Sequence, residues 1–188
     1  METHKKQNNN NISHDMPETT DRFPEVKVIL VTILLCTTVV FLSHFLQPVR
    51  VVGYSMKPAL TNGTILATRE NDMKDDSDIQ YNDIAVCSFG NSPDIYAKLA
   101  GHKIIKRVVG LPGDTIQIVD GILCRNGKLV KKGFAKMEDA GIAAEPVALG
   151  KGEFFVLGDN RNHSCDSRFI GPVKEEEITN VVMFHIYK

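Results

Sequence analysis

Val51-Val-Gly-Tyr-Ser-Met-Lys-Pro-Ala-Leu60 is the stretch around which the rest of the chain is organised. The apolar start of this stretch, residues 49–52, predicts a short strand. Gly53 ends the strand pattern and Pro58 follows Ser55 closely, so the chain is predicted to bend and to hold the Ser55 hydroxyl in a fixed place. A serine near Gly and Pro is usually part of an ordinary turn, so chemistry has to be argued from the other segments.

An apolar segment precedes this stretch. Residues 28–46 include no Asp, Glu, Lys or Arg, and a helix of these 19 residues spans roughly the 30 Å hydrocarbon core of a bilayer. A buried soluble helix of this length normally has a polar face, and a cleavable signal peptide normally ends in a pair of small residues, which is missing here. The sequence therefore predicts an uncleaved transmembrane anchor over residues 26–46.

The residues on either side of the anchor predict its orientation. Residues 1–25 are polar and aperiodic, which predicts a disordered tail. Basic residues are retained on the cytoplasmic side, so an excess before the anchor places the tail in the cytoplasm and residues 49–188 outside. Four basic residues precede the apolar segment and two follow it closely: Lys5, Lys6, Arg22 and Lys27, then Arg50 and Lys57.

Residues 49–188 have strand patterns about every ten residues, separated by turns that contain glycine, and no long helix pattern. Asp120-Gly121 and Asn126-Gly127 each predict a tight hairpin turn. These features predict an all-β domain of Greek-key or barrel-like form. The predicted strands cover residues 65–68, 84–89, 103–109, 115–119, 122–124, 152–157 and 178–187.

Lys106 lies in the predicted strand 103–109. Because side chains alternate between the faces of a strand, Lys106 shares a face with Ile104 and Val108. If that face is the inner one, Lys106 is buried, and burial lowers the pKa of a lysine. The ordinary alternative is a surface lysine on an amphipathic strand.

The composition excludes several classes of protein. There are 22 Lys and Arg against 23 Asp and Glu, a net charge of −1 that gives no basic surplus for nucleic acid. The six His have no metal-ligand spacing, and no metal or cofactor is predicted. We predict no structural disulfide, although one bridge among Cys87, Cys124 and Cys165 stays open.

Three segments together resemble a known family. They are Gly53-Tyr-Ser-Met-Lys-Pro58, Lys106-Arg-Val-Val-Gly-Leu-Pro-Gly-Asp114 and Gly158-Asp-Asn-Arg-Asn-His-Ser-Cys-Asp-Ser-Arg168. In this order, after an apolar segment, they resemble the type I signal peptidases, the bacterial leader peptidases of peptidase family S26. The resemblance covers roughly residues 26–188, and the short interval between the second and third segments resembles the compact form common in Gram-positive bacteria.

The resemblance implies a membrane-bound serine endopeptidase that removes signal peptides from exported preproteins and cuts after Ala-x-Ala-like small residues. Ser55 matches the nucleophile, which forms an acyl-enzyme intermediate, and Lys106 matches the general base. A lysine acts as a base only when it is neutral, which requires a lowered pKa. Ser164 matches a second serine that bonds to the lysine and orients it.

The remaining matched residues are expected to shape the site. Asp166 and Arg168 match a pair for which we expect a structural salt bridge. Asp159 and Asn160 are expected to hold their loop by backbone bonding, and Asp114 is expected to be structural.

The oxyanion hole implied by the resemblance uses the backbone N–H of Ser55. Some family members add a serine hydroxyl at the position of Gly53, and many have Thr at the position of Ala59, so both positions depart from the family pattern. Val52 and Met56 are predicted to line the substrate pockets.

The resemblance also implies partners and a location. Signal-peptide-bearing preproteins and the lipid bilayer are the expected partners, near the secretion translocon. The expected location is the bacterial cytoplasmic membrane, with a single span and an extracytoplasmic catalytic domain.

Three other hypotheses account for some of these residues. A Ser–His–Asp hydrolase could use Ser55 with His102 or His163, but it lacks the Gly-x-Ser-x-Gly elbow. Self-cleaving repressors share a Ser/Lys dyad but have a DNA-binding or regulatory N-terminus. An inactive membrane-tethered binding domain would have no use for a buried lysine, which is costly to keep.

Overall fold

A computed structural model describes residues 24–71, 79–90, 102–130 and 133–187 of the chain. The predicted tail, residues 1–25, lies almost wholly outside the described residues. The chain divides between Val40 and Phe41 into two compact units.

The first element is the helix α1, Pro24–Phe45, with 22 residues. Proline suits the first position of a helix, and Glu25 in the first turn interacts favourably with the helix dipole. The hydroxyl of Thr38 donates to the carbonyl of Leu34 at 2.7 Å, so this polar group is satisfied within the helix. By length and hydropathy, no helix in the described ranges qualifies as membrane-spanning. The anchor over residues 26–46 stays a prediction.

Eleven strands and one further short α-helix follow α1 within the described residues. The pairings between strands are antiparallel. In chain order, the elements are β1 (Gln47–Arg50), β2 (Ile65–Glu70), β3 (Ile84–Ser88), β4 (Lys103–Gly110), β5 (Thr115–Val119), β6 (Ile122–Arg125), β7 (Lys128–Leu129), β8 (Val147–Ala148), β9 (Glu153–Leu157), α2 (Ser167–Ile170), β10 (Val173–Lys174) and β11 (Ile178–Tyr187).

The strands form two sheets. The larger sheet has the order β1-β2-β11-β3-β4-β9-β10, and the smaller has the order β7-β6-β5-β8. The prediction of a mostly β domain is confirmed, although within the described residues the strands form two sheets with edge strands rather than one closed barrel. Both predicted hairpins are confirmed: Val119 pairs with Ile122 and Arg125 with Lys128. Their turns use the positive φ of Asp120 and Asn126, each followed by Gly.

The strand predicted over residues 49–52 is wrong at its boundaries. β1 begins at Gln47 and ends at Arg50, which pairs with Ile65, the first residue of β2. The pairing of β1 with β2 ends at Arg50, so Val51 and Val52 lie outside the strand. Val51 instead bonds to the turn before β2, donating to the carbonyl of Thr64 at 2.8 Å.

β4 connects the buried clusters of the β domain. Val108 belongs to the first cluster, Val109 to the second, and Ile105 packs against the third. Because successive residues of one strand face different clusters, β4 is fixed on both faces. The free thiols of Cys87 and Cys124 are buried in the domain, and Cys165 is an exposed free thiol.

Asp114 ties the turn after β4 to the β6–β7 hairpin. Its carboxylate accepts from the N–H of Leu111 at 2.8 Å, from Nε of Arg125 at 2.6 Å and from Nδ2 of Asn126 at 2.6 Å. Burial by itself raises the pKa of Asp114, but these donors outweigh it and hold the pKa below its usual range.

We expect Asp114→Asn to lower the free energy of unfolding by about 2 kcal/mol at neutral pH, because charge-assisted bonds to the carboxylate are lost. The folded pKa is depressed, so the stabilisation is present above the unfolded pKa and is lost as the pH falls through the folded pKa. The deficit of the variant should therefore shrink in acid. Urea unfolding followed by circular dichroism at several pH values measures it.

Asp120→Asn is the matched control for this experiment. Asp120 is exposed at a positive φ that Asn tolerates, so the Asp120→Asn protein should be as stable as the wild type at neutral pH. A deficit in Asp114→Asn that stays constant into the acid range would contradict the assignment.

Candidate active site

Ser55 lies in the turn between β1 and β2. Met56, which is 2% exposed, and Leu60 pack into a buried cluster with Val51, and this packing fixes the turn to the core. The N–H of Leu60 donates to the carbonyl of Met56 at 2.9 Å, which closes a local turn. Ser55 itself is half-buried, so its hydroxyl is held in place but accessible.

Lys106 reaches Ser55 from the middle of β4. Its Nζ donates to Oγ of Ser55 at 2.9 Å, across 51 residues of sequence. Lys106 is 4% exposed, on the strand face that it shares with Val108 and Ile104. The inner-face interpretation of the strand pattern therefore matches the position of Lys106 in the structure.

The surroundings of Lys106 favour its neutral form. Burial lowers the pKa of Lys106, and the nearby Asp166, Cys87 and Cys165 oppose that shift without reversing it. Burial also raises the pKa of the Cys87 thiol to about 12, so this neighbour stays a neutral thiol. A neutral amine within hydrogen-bond distance of a serine hydroxyl is able to take its proton.

The loop of residues 158–168 holds the Ser55 turn from the other side. The backbone N–H of Asn160 donates to the carbonyl of Ser55 at 2.9 Å, and its Nδ2 donates to the carbonyl of Tyr54 at 3.2 Å. The backbone N–H of Ser55 itself donates to no acceptor in the described part of the chain. The carbonyl of Ser55 is therefore fixed while its N–H is available, as the predicted oxyanion role requires.

Asp159 makes the predicted backbone bond within its loop, because its carbonyl accepts from the N–H of Arg161 at 3.1 Å, and its side chain adds an ion pair. Its carboxylate accepts two bonds from the guanidinium of Arg107, from Nε at 2.8 Å and from Nη2 at 2.7 Å. Arg107 is the neighbour of Lys106 on β4, and its Nη1 also donates to the carbonyl of Asn82 at 2.8 Å. The planar two-point geometry fixes the start of the loop to the strand that carries Lys106.

Asp166 and Arg168 form an ion pair inside the same loop. Nε and Nη2 of Arg168 donate to the two carboxylate oxygens of Asp166 at 2.8 and 3.0 Å. Arg168 is 2% exposed and Asp166 is 0% exposed. Asp166 also accepts from the N–H of Gly158 at 3.0 Å. Nη1 of Arg168 donates to the carbonyl of Asp139 at 3.0 Å. The pair thus joins both ends of the loop.

Ser164 does not make the bond predicted for it. Its Oγ is buried and has no hydrogen-bond partner among the described residues, so the expected bond to Lys106 is not formed. The side chain packs against the backbone of Gly158. In this structure the bond from Lys106 goes to Ser55.

Gly158 lies close to the Ser55 turn and to Ser164. A Cβ on Gly158 would lie 2.6 Å from the carbonyl oxygen of Ser55 and 2.5 Å from Cβ of Ser164, and it would also collide with Oγ of Ser164. We expect Gly158→Ala to lower the free energy of unfolding by about 1–3 kcal/mol and the turnover by about 10²-fold, because the two segments must separate. Urea unfolding and turnover of a cleavable substrate measure the two effects.

Gly90→Ala is the matched control for this prediction. A Cβ on Gly90 meets no described residue within 4 Å, and the φ of Gly90 is not positive. A Gly158→Ala protein with the stability and turnover of Gly90→Ala would contradict the close approach of the loop to Ser55.

A groove of about 430 Å³ opens beside Ser55 and Lys106. Val52, which is 86% exposed, stands at its edge, and Met56 lies in its buried floor. The structure thus places both predicted pocket residues along the groove. The other residues that line it are Val49, Arg50, Val51, Gly53, His102, Lys103, Ile104 and Ile105.

The geometry does not support the Ser–His–Asp alternative. His102 lines the groove and His163 is exposed. Within the described residues, neither histidine bonds to Ser55, because the hydroxyl of Ser55 is bonded to Lys106. The base that bonds to the hydroxyl is an amine.

A family profile described as "Signal peptidase, peptidase S26" matches residues 25–187. The chain belongs to the signal peptidase family. It is therefore a serine endopeptidase of that family, and the resemblance stated from the three sequence segments is confirmed.

Several curated relatives belong to the same family. Signal peptidase I T of Bacillus subtilis is 32% identical over 84% of this chain and 81% of its own length. Signal peptidase I V of Bacillus subtilis is 41% identical over 43% of this chain and 56% of its own length. A crystal structure of a signal peptidase I from Enterococcus faecalis aligns at 28% identity with a TM-score of 0.44, covering 57% of this chain and 98% of that one.

Sequence reasoning missed two parts of this signal peptidase site. The Arg107–Asp159 pair was not predicted, although the place of Arg107 next to Lys106, on the opposite strand face, was a usable signal. The close approach of Gly158 was missed as well. A glycine between a buried strand and an Asp-Asn turn was the available sign.

Proposed function

We propose that this signal peptidase removes N-terminal signal peptides from exported preproteins, with Ser55 as nucleophile and Lys106 as general base. The observation that carries the proposal is the 2.9 Å bond between Nζ of Lys106 and Oγ of Ser55, at the wall of an open groove. Burial of Lys106 supports the role of base, because it lowers the pKa of the amine.

The first chemical step forms an acyl-enzyme. Neutral Lys106 takes the proton of Ser55 while Oγ attacks the scissile carbonyl carbon. The carbonyl oxygen becomes an oxyanion, which accepts a hydrogen bond from the backbone N–H of Ser55. The C–N bond then breaks, and protonated Lys106 gives its proton to the leaving amine. The signal peptide is left as an ester on Ser55.

The second step releases the signal peptide. A water enters the place left by the amine, and Lys106, neutral again, takes one of its protons. The hydroxide attacks the ester carbon, the ester bond breaks, and the proton returns from Lys106 to Oγ of Ser55. The site is restored, with one carboxylic acid and one amine formed for each water consumed.

The groove supports binding of an extended peptide. In β4, the pairing with β9 begins only at Arg107, so the described residues leave residues 103–106 unpaired along that edge. A substrate strand can pair with this free edge, as peptides do when they extend a sheet. Side chains that alternate into the groove would meet Val52 and Met56, which favours small residues at the two inward positions before the cleaved bond.

We also propose that residues 26–46 anchor the chain in the bacterial cytoplasmic membrane, with the tail inside and the β domain outside near the translocon. The support is the absence of charge over residues 28–46 and the exposure of the apolar side chains along α1, such as Leu34 at 67% and Phe41 at 64%. The hydrocarbon core of a bilayer would bury the exposed apolar side chains of such a helix.

The test of the function is cleavage of a purified preprotein by the full chain in neutral detergent. A preprotein with Ala-x-Ala before the cleavage site should be cut after the second Ala, as mass spectrometry of the product shows. A matched preprotein with Phe in place of that Ala should be left intact. Equal cleavage of both preproteins, or cutting elsewhere, would sink the proposed specificity.

The test of the topology uses a natural cysteine. Cys165 is exposed, whereas Cys87 and Cys124 are buried, and the exposed Cys36 lies in α1, within the proposed anchor. A membrane-impermeant maleimide should label Cys165 in intact spheroplasts, and Cys165→Ser should remove the label. Labelling that requires prior permeabilisation would place the β domain in the cytoplasm and refute the proposed orientation.

A further inference from the structure

A second cavity, which shares no lining residue with the Ser55 groove, lies between the two sheets of the β domain. Its volume is about 370 Å³, in the range of small-molecule sites. Apolar side chains such as Leu123 and Met137 line most of it, together with the rings of Tyr81 and Phe134. None of these residues has a place in the proposed cleavage reaction.

The polar part of this cavity is cationic. Arg161 lines the cavity and is only 3% exposed, with its guanidinium over the ring of Phe134 at 4.1 Å. Its Nε is buried and has no hydrogen-bond partner in the described ranges. Leaving a buried guanidinium donor without a hydrogen bond costs free energy, so a ligand that supplies an acceptor to this donor would be stabilised in the cavity.

The buried charges around Arg161 do not balance. Arg107 is paired with Asp159, and Arg168 is paired with Asp166. Arg161 is therefore a third guanidinium beside two carboxylates that are already paired. Burial and the two other guanidinium groups lower the pKa of Arg161, and the two carboxylates only partly oppose this. Among the described residues, the cluster therefore has one guanidinium more than it has carboxylates.

We propose that this cavity binds a small amphiphilic carboxylate, whose acid group pairs with Arg161 and whose apolar body fills the space towards Leu123 and Met137. A single excess charge matches a monoanion better than a phosphate dianion, and a guanidinium pairs with a carboxylate in a planar, two-point geometry. The rings of Tyr81 and Phe134 favour a flat or aromatic body. The carboxylate could belong to a free acid or to the C-terminus of a peptide.

The experiment titrates the full chain in neutral detergent with 3-phenylpropionate and, as the neutral isostere, 3-phenylpropionamide. Binding is followed by NMR at the Nε–Hε resonances of arginine, with that of Arg161 assigned by its loss in Arg161→Lys. The acid should shift this resonance with a Kd of roughly 1 mM or tighter, and the amide should bind at least about tenfold more weakly. Gly-Phe and its C-terminal amide form a second pair that tests the peptide source.

Arg161→Met should weaken binding of the acid by about 10- to 100-fold, read from calorimetry. Lys128→Met, which removes an exposed charge outside the cavity, should bind like the wild type. Binding by phenylpropionate alone assigns the site to free acids, and binding by Gly-Phe as well extends it to peptide termini. Equal binding of acid and amide, unchanged binding in Arg161→Met, or no shift of the Arg161 resonance at about 20 mM acid would overturn the proposal.

Discussion

Lys106→Met is expected to lower the turnover of a preprotein by at least about 10⁴-fold, and Ser55→Ala by a similar factor. The two side chains act as one unit through the 2.9 Å bond between them, so removal of either leaves the other without its role. The double variant should therefore be no slower than the single ones. Turnover of an Ala-x-Ala preprotein under saturating substrate measures all three.

Lys106→Met should also be at least as stable as the wild type. An amine that is 4% exposed is replaced by an apolar side chain of similar length, which ends the cost of desolvating it. Thermal unfolding then separates lost chemistry from lost folding. Lys128→Met, at an exposed position on β7, serves as the control and should match the wild type in turnover and stability.

The pH dependence of cleavage follows from the lowered pKa of Lys106. Only the neutral amine accepts a proton, so the rate should rise as the pH passes the folded pKa, which lies below the ordinary lysine value of about 10.4. Between the folded and the unfolded pKa of Lys106, the unfolded chain binds more protons than the folded chain. The free energy of unfolding of the wild type should therefore rise with pH across this range. Lys106→Met should lose both dependences.

Retained cleavage in Lys106→Met would end the Ser/Lys mechanism. The next candidates would then be His102, which lines the groove, and His163. No cleavage by the wild type at any pH would favour the binding-domain alternative.

The residues that share a strand face with Lys106 were predictable because they depend on a local rule. Alternation along one strand put Lys106 with Ile104 and Val108, although only the packed structure shows that this face is the buried one. The hairpins at Asp120 and Asn126 were predictable for the same reason, since their turn residues need positive φ.

The partners of Arg107 and Ser164 were not predictable from local rules. Arg107 pairs with Leu157 in the sheet, and this register brings Asp159, two residues further on, to the guanidinium. No sequence pattern states which of two strands 50 residues apart will pair, or in which register. Likewise, the hydroxyl of Ser164 depends on how tightly the backbone of Gly158 approaches, which only the packed structure reveals.

Arg168→Met is expected to lower the free energy of unfolding by about 3–5 kcal/mol, because it leaves the fully buried carboxylate of Asp166 without its counter-charge. Lys174→Met is the matched control. The bridge from Lys174 to Glu176 is 3.9 Å long and its side chains are 65% and 70% exposed, so its loss should cost no more than about 0.5 kcal/mol. Urea unfolding of both variants measures the contrast.

The double variant Asp166→Leu/Arg168→Met separates charge from structure. If the cost of Arg168→Met is only the unpaired charge, removing Asp166 as well should restore most of the stability. The carboxylate of Asp166 also accepts hydrogen bonds from the N–H of Gly158, at 3.0 Å, and from the N–H of Arg168, which caps α2. Both of these bonds are lost in the double variant. We therefore expect partial recovery of stability without recovery of turnover, because the loop that fixes the carbonyl of Ser55 stays loose. Full recovery of turnover would mean that the ion pair has no part in positioning Ser55.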